Sequence, residues 1–311
     1  MKNTQELVEL LRILGDPTRL RLLVALRRGE LTVGEITRVT GLSQPRVSRH
    51  LKLLCDAGVL RRTRDQNEVY YRATIDEDRR ALVQKALSCL PDDDPEITQD
   101  RKRLTEILRN RQTRARELLS ELGVLPLNAT DISEVGATVE KLLHGRLLES
   151  TPDGAPLGDL LDVGTGTGSM LRLLARRAKR AIAVDRSRDM RLVARAQVSL
   201  EGLTNCTVRD GDMYSLNFPR NSFDIVTMDR VLGTAERPED AIKQAASVLK
   251  NDGYLLVVET SGSTVSQEKL DVWVKQAGLT PVEVSQSSAG AALVALATRT
   301  APVAGSLNND H

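Results

Sequence analysis

Residues 160–178 read LLDVGTGTGSMLRLLARRA, an apolar strand that runs straight into Gly164, Thr165, Gly166, Thr167 and Gly168 and then into a helical stretch. Glycines permit a tight turn there and let a ligand approach the backbone, at the carboxyl end of a parallel strand where such sheets bind. A glycine loop alone is weak evidence, because many are only turns. The spacing discriminates between ligands all the same. The dinucleotide fingerprint needs glycine at its sixth place, which is Ser169 here, so nicotinamide binding is disfavoured.

Outward from this turn, apolar strands alternate with helices. DLLDVG (159–164), AIAVDR (181–186), CTVRDG (206–211), FDIVTMD (223–229) and YLLVVE (254–259) are separated by stretches expected to be helical, and PVEVSQ (281–286) and AALVALAT (291–298) close the series. That pattern predicts a seven-stranded, mostly parallel, Rossmann-like α/β sheet with an antiparallel hairpin at its end. Asp185 ends the second strand, where a carboxylate accepts both hydroxyls of a ribose. Asp212, after the third strand, is placed to meet an adenine amino group, with Met213 against the ring, and Asp162 lies near the other end of such a ligand.

The first sixty residues have a different texture. ELVELLRILGD (6–16), PTRLRLLVALRRGE (17–30), TVGEITRVTG (32–41) and SQPRVSRHLKLLCDAG (43–58) are short helices separated by turn signals. Pro17 suits a first helical turn, Gly29 and Gly41 suit helix ends, and Ser43 suits an N-cap. VLRRTR and EVYYRAT follow as two strands around the polar tip Asp65, Gln66 and Asn67, which reads as a β-wing. A helix-turn-helix lays one helix in the major groove and so needs an apolar back and a polar front. Val47, Leu51 and Leu54 supply the back. Ser43, Gln44, Arg46, Ser48 and Arg49 supply donors for base edges or phosphates, with His50 either packed inward or facing DNA. Arg61, Arg62 and Arg64 of the wing are placed to reach the neighbouring backbone or minor groove.

Bulk properties agree with two cores. The chain has 311 residues, 41% hydrophobic and only 2% aromatic, so its cores are built mainly from Leu, Val, Ile and Ala. The net charge of +2 hides an asymmetry, since residues 1–74 hold 14 Lys and Arg against 8 Asp and Glu. The front is the end that faces a polyanion. A fifth helix is expected over Glu77 to Leu90, then a linker at PDDDPEITQD (91–100), then a long amphipathic helix over 101–122 whose basic face reads as solvated. The expected organisation is therefore a DNA-binding domain at 1–90, a linker and connecting helix at 91–125, a ligand-binding domain at 126–300 and a disordered tail at 301–311. No secretory segment or bilayer-length apolar run is seen, so the expectation is a cytoplasmic protein with no membrane partner. Cys55, Cys89 and Cys206 have no metal or redox spacing and read as reduced thiols.

LGDPTRLRLLVAL, SQPRVSRHLKLLCDAGVL and the YYR strand resemble, in combination, the ArsR family of bacterial winged-helix repressors over roughly residues 5–90. The resemblance implies a homodimer, formed through the first and fifth helices, on a two-fold symmetric operator in double-stranded DNA. Many members sense metal through paired cysteines in the third helix or a His and acid cluster in the fifth. Here the third helix has neither Cys nor His, and the chain's histidines are His50, His144 and His311, so no metal site is expected.

LLDVGTGTGSM, AVDRS, GDMYSL, FDIVTMDRVL and ASVLKNDGYLLVVE resemble the class I S-adenosylmethionine methyltransferases, in that family's order, over roughly residues 155–298. This implies a pocket for S-adenosylmethionine or S-adenosylhomocysteine lined by Asp162, Gly164, Thr165, Gly166, Gly168, Asp185, Arg186, Asp212, Met213 and Asp229. Cofactor contacts alone do not establish catalysis, because methyl transfer needs little beyond an aligned acceptor and, often, a base. MDRVLGTAERPED (228–240) lacks the acceptor-site run of amino-directed DNA methyltransferases, and no Pro-Cys nucleophile is present, which disfavours DNA methylation. Over nearly its full length the chain resembles bacterial fusions of an ArsR-like and a methyltransferase-like domain. It departs from many of them in the segments at 122–145 and 259–276, which are poor in aromatics and histidine. Retained cofactor contacts beside a depleted acceptor side point to a repressor whose operator affinity responds to the nucleoside. An active small-molecule methyltransferase with a fused autoregulatory DNA-binding domain is the alternative, and an interaction scaffold with both sites vestigial is a third.

Overall fold

The computed structural model describes residues 3–74, 76–124, 129–143, 157–287 and 292–300. Its helices in chain order are α1 (Thr4–Leu14), α2 (Pro17–Leu26), α3 (Val33–Thr40), α4 (Gln44–Asp56), α5 (Glu77–Ser88), α6 (Pro95–Glu121), α7 (Ala129–Leu143), α8 (Ser169–Leu174), α9 (Arg188–Leu200), α10 (Pro238–Val248) and α11 (Gln267–Gln276). Its strands are β1 (Leu31–Thr32), β2 (Leu60–Asp65), β3 (Glu68–Ala73), β4 (Asp159–Val163), β5 (Arg180–Asp185), β6 (Cys206–Asp210), β7 (Phe223–Asp229), β8 (Leu249–Thr260), β9 (Thr280–Gln286) and β10 (Ala292–Thr298). By their contacts these elements fall into two units: α9 and β6 group with the elements of the first 124 residues, and the others form the second.

In the first unit α1, α2 and α3 each start where the sequence supplies an acceptor for an orphan amide. Asn3 accepts from the Glu6 amide at 2.9 Å and Asp16 from the Arg19 amide at 2.9 Å. Thr32 and Glu35 form a reciprocal capping box at the start of α3. Gly41 ends α3 at φ 68°, a left-handed cap, and a Cβ there would lie 2.9 Å from Arg103 Nη1. Val47, Leu51 and Leu54 of α4 are fully buried with Leu22 and Ile36, which turns the polar side of α4 outward. The strands order as β1-β3-β2, antiparallel throughout, and the β2–β3 register closes at Asp65 opposite Glu68, leaving Gln66 and Asn67 as the wing tip.

The connection before the long helix is shorter than the sequence suggested. Asp94 Oδ1 accepts from the Ile97 amide at 2.9 Å and Pro95 occupies the first turn, where its missing N–H costs nothing, so α6 already begins inside PDDDPEITQD. Asp100, expected in a linker, is buried and takes a bidentate contact from Arg21 at 2.7 and 2.8 Å. The tail expected to be disordered, His144 and His311 lie outside the described residues.

The seven remaining strands follow the order β6-β5-β4-β7-β8-β10-β9. β4 is parallel to both β5 and β7, β7 is parallel to β8, and β10 runs antiparallel between β8 and β9. This is the mostly parallel Rossmann-like sheet with a terminal hairpin. The helix expected between β6 and β7 is absent: residues 211–222, GDMYSLNFPRNS, form turns in which Asp212 bridges Ser215, because proline, asparagine and glycine interrupt any apolar period. Leu160, Leu161, Ile225, Val226, Leu255 and Leu256 are fully buried at the centre of the sheet. The strand order reverses direction at β4, so the crevice at the carboxyl ends of β4 and β7 is where a sheet of this kind holds a ligand. No helix among the described residues is long and apolar enough to cross a membrane.

Candidate functional site

The exposed side of α4 carries Gln44, Arg46, Ser48 and Arg49, preceded by an exposed Ser43 whose side chain makes no capping bond. Arg46 is partly tethered, donating from Nη2 to Thr18 Oγ1 at 3.1 Å. His50 is different. It is half-buried, its Nδ1 sits 3.8 Å from Asp16 Oδ1, and burial holds its pKa below the usual imidazole value, so it packs toward the start of α2. Arg61, Arg62 and Arg64 are exposed along β2, opposite Arg72, Tyr71 and Val69, and Arg64 Nε donates to the Gln66 carbonyl at 3.0 Å. One face of the first unit thus offers an exposed helix and a basic ribbon.

At the end of β4, the Gly164 and Thr165 amides donate to the Val184 carbonyl at 2.8 and 3.0 Å, folding the chain back over β5. Gly164, Gly166 and Gly168 all have positive φ, at 68°, 51° and 83°. Gly164 is irreplaceable on two counts, since a Cβ would also lie 2.5 Å from Val231 Cγ2. Asp162 is 1% exposed, and both its oxygens accept hydroxyls, Oδ2 from Thr165 at 2.6 Å and Oδ1 from Thr227 at 2.7 Å. Burial pushes its pKa up to about 6, and the charges of Asp229 and Asp185 add to the rise. Asp185 and Asp229 stand at the ends of β5 and β7, the two strands that flank β4. Asp185 is half-buried and Arg186 beside it exposed. Asp212 is exposed, and its Oδ1 accepts from the Tyr214 amide at 2.9 Å in a local turn, while Met213 packs against the sheet core. These two line the loop after β6.

Three groups escaped sequence reasoning. Arg230, at φ 53°, folds back on Asp229 with contacts of 2.8 and 2.6 Å. Thr227 anchors Asp162. Glu259, 2% exposed at the end of β8, accepts from the Leu232 and Gly233 amides at 2.8 and 3.2 Å and from Ser263 Oγ at 3.2 Å, and burial raises its pKa. An acid near the end of an apolar strand, YLLVVE, is the same signal that marks Asp185, so Glu259 was findable. Chemically, a turn with glycine at every second position, followed by acids at the ends of the neighbouring strands, fits an adenosyl amino acid. The bare backbone allows close approach, and the acids meet hydroxyl and cationic donors.

Among known proteins, the arsR family of bacterial regulatory proteins matches residues 16–62, and a methyltransferase domain matches residues 161–257. The biofilm growth-associated repressor of Agrobacterium fabrum is 32% identical over 93 residues, which are 30% of this chain and 80% of that protein. The probable mercury resistance operon repressor of Streptomyces lividans is 42% identical over 82 residues, 26% of this chain and 64% of that one. The uncharacterized methyltransferase YcgJ of Bacillus subtilis is 32% identical over 100 residues, 32% of this chain and 40% of that one. The chain therefore spans less than two thirds of the length of several relatives it matches.

Proposed function

Because the chain belongs to the arsR family of bacterial regulatory proteins and carries a fused methyltransferase domain, we propose that it is a repressor whose operator affinity is set by S-adenosylmethionine or S-adenosylhomocysteine. One observation carries this reading over catalysis. The acids at the ends of β7 and β8 already have partners: Asp229 takes both arms of Arg230, and Glu259 accepts from two backbone amides and Ser263. An acid so engaged is not poised to take a proton from an acceptor.

In this reading Asp185 accepts the ribose hydroxyls, Asp212 and Met213 meet the adenine, and the turn from Gly164 through Thr165 and Gly166 to Gly168, with Asp162, Asp229 and Arg186 nearby, surrounds the amino-acid end. If methyl chemistry occurred, the bound sulfonium would supply the methyl group. The DNA side consists of Ser43, Gln44, Arg46, Ser48 and Arg49, with Arg61, Arg62 and Arg64 on flanking phosphates; the inward turn of His50 gives it a packing role. The repressor acts as a homodimer through α1 and α5. Supporting that, a groove of about 590 Å³ beside α1 is lined in part by Leu10, Ile13, Leu53, Leu60 and Arg79, and Leu11 of α1 is 49% exposed.

The reading is tested by calorimetric binding of both nucleosides to wild type and Asp185→Ala, with labelled methyl transfer to a cell extract run alongside. The expected result is nucleoside binding that Asp185→Ala weakens at least tenfold, with no transfer. Transfer abolished by Asp185→Ala would instead establish the enzyme.

A further inference from the structure

The wing is not a free ribbon. Asp65, the last residue of β2, is 5% exposed and faces two arginines of α9 that hardly meet water, Arg191 at 0% and Arg195 at 3%. Arg191 donates from Nε to Asp65 Oδ2 at 3.1 Å, and its Nη1 lies 2.9 Å from Asp210. Arg195 donates from Nε to Glu30 Oε1 at 2.8 Å and from Nη2 to the Val208 carbonyl at 2.6 Å, bonds Asp65 as well, and lies 4.0 Å over the ring of Tyr70. On its apolar side α9 packs Val193 and Ala196 against Ala115, Leu118 and Leu119 of α6.

The same α6 reaches the recognition turn. Arg111 pairs with Glu35 at 2.5 and 2.6 Å and donates to the Glu30 carbonyl at 3.1 Å, while Arg103 Nη1 donates to the Val39 carbonyl at 3.3 Å beside Gly41. Arg21, held by Asp100, donates from Nη2 to the Thr40 carbonyl at 2.7 Å. Wing and recognition turn are therefore both fastened to the α6–α9 pair. Buried ion clusters are weak devices for stability, because apolar packing of the same volume serves as well, and their attested use is to fix one arrangement among several.

We infer that α9 is the transmission element of this regulator, with Arg191 and Arg195 passing the state of the adenosyl site to the wing through Asp65. The inference rests on the proposed nucleoside reading. Asp185 ends β5, and only Arg186 and Ser187 separate it from the first residue of α9, with Ser187 Oγ accepting from the Met190 amide as its cap. A ligand held by Asp185 thus bears on the first turn of α9, and the helix carries the two arginines as one body. Differential affinity of the nucleoside for two placements of α9 becomes differential placement of the wing.

The test uses the full chain as Asp65→Asn. Each arginine then keeps a second carboxylate, Asp210 for Arg191 and Glu30 for Arg195, so no guanidinium is stranded. Tyr70→Leu, which removes the ring beneath Arg195 without changing charge there, carries the same expectation should Asp65→Asn fail to fold. S-adenosylhomocysteine and S-adenosylmethionine affinities are measured, together with affinity for a duplex selected by wild type from a random pool, with and without each nucleoside. Wild type is expected to show a nucleoside-dependent change of about 5- to 150-fold in duplex affinity. The variants are expected to bind nucleoside within about threefold of wild type while that change shrinks to less than about twofold, the loss of coupling without loss of the site. Variants that respond as wild type does overturn the inference alone. A wild type that binds the duplex but ignores both nucleosides overturns the functional reading and the inference with it.

Discussion

Arg230 turns back onto the residue before it, its Nε and Nη2 meeting Asp229 Oδ1 and Oδ2 at 2.8 and 2.6 Å from a left-handed backbone at φ 53°. A non-glycine residue held there stores about 1 to 2 kcal/mol. The pair screens the carboxylate that ends β7, the strand beside β4. Arg230→Gly relaxes the backbone and uncovers Asp229, so the overall stability change is expected to be under about 1 kcal/mol, the relaxation offsetting the lost ion pair. Binding of the sulfonium S-adenosylmethionine should strengthen several-fold relative to neutral-sulfur S-adenosylhomocysteine. Calorimetric titration of both ligands reads this directly, and an unchanged ratio would place Asp229 away from the sulfur.

The Asp162 carboxyl, with its pKa pushed up to about 6 from an ordinary 3.8, is protonated more readily in the folded chain than in the unfolded one. Its contribution to stability therefore falls as pH rises from about 4 to about 6 and is level above that. Asp162→Asn removes the buried charge and keeps partners for Thr165 and Thr227. Relative to wild type it should gain on the order of 2 kcal/mol at pH 8 and much less at pH 4, while losing nucleoside affinity. Thermal unfolding of both proteins across that range checks it; parallel pH profiles would refute the assignment.

The Arg21–Asp100 pair joins α2 to α6 at 2.7 and 2.8 Å with Asp100 2% exposed. Arg21→Met leaves Asp100 buried without its cation and is expected to cost about 3 to 5 kcal/mol, whereas adding Asp100→Leu recovers most of the loss. Denaturant unfolding of the single and double variants measures the difference. A double variant as unstable as the single would show that the Thr40 carbonyl, left without the Arg21 donor, governs the effect.

On the DNA side, Arg62→Ala should weaken binding across all sequences and reduce the salt slope by about 1, as expected for one phosphate contact. Gln44→Ala should relax base preference and leave the slope unchanged. Binding isotherms at several salt concentrations separate the two, and an unaltered slope in Arg62→Ala would remove the wing from the phosphate backbone.

The seven strands and the recognition helix were legible because their signals are local: a period of apolar residues, a glycine turn, a proline in a first turn. Strand-end position likewise marked Asp185, while Asp229 came only with the resemblance to methyltransferases. What sequence could not carry was partnership at a distance. Arg191 and Arg195 carry no local signal, since their partners Asp65 and Glu30 lie 126 and 165 residues away. Asp100 sat in a stretch of acids and prolines that reads as a linker, and its burial depends on Arg21 in another helix. Arg230 hides for a third reason, since positive φ at an arginine has no signature in residue type. His50 left two orientations open, and proximity to Asp16 in the folded chain decided for the inner one.

The most direct measurement is the affinity of the full chain for its selected duplex at fixed salt, with and without saturating S-adenosylhomocysteine or S-adenosylmethionine. A shift of at least about fivefold with one nucleoside, lost in Asp185→Ala, is the predicted result. Superimposable isotherms in the presence of nucleoside shown to be bound would contradict it.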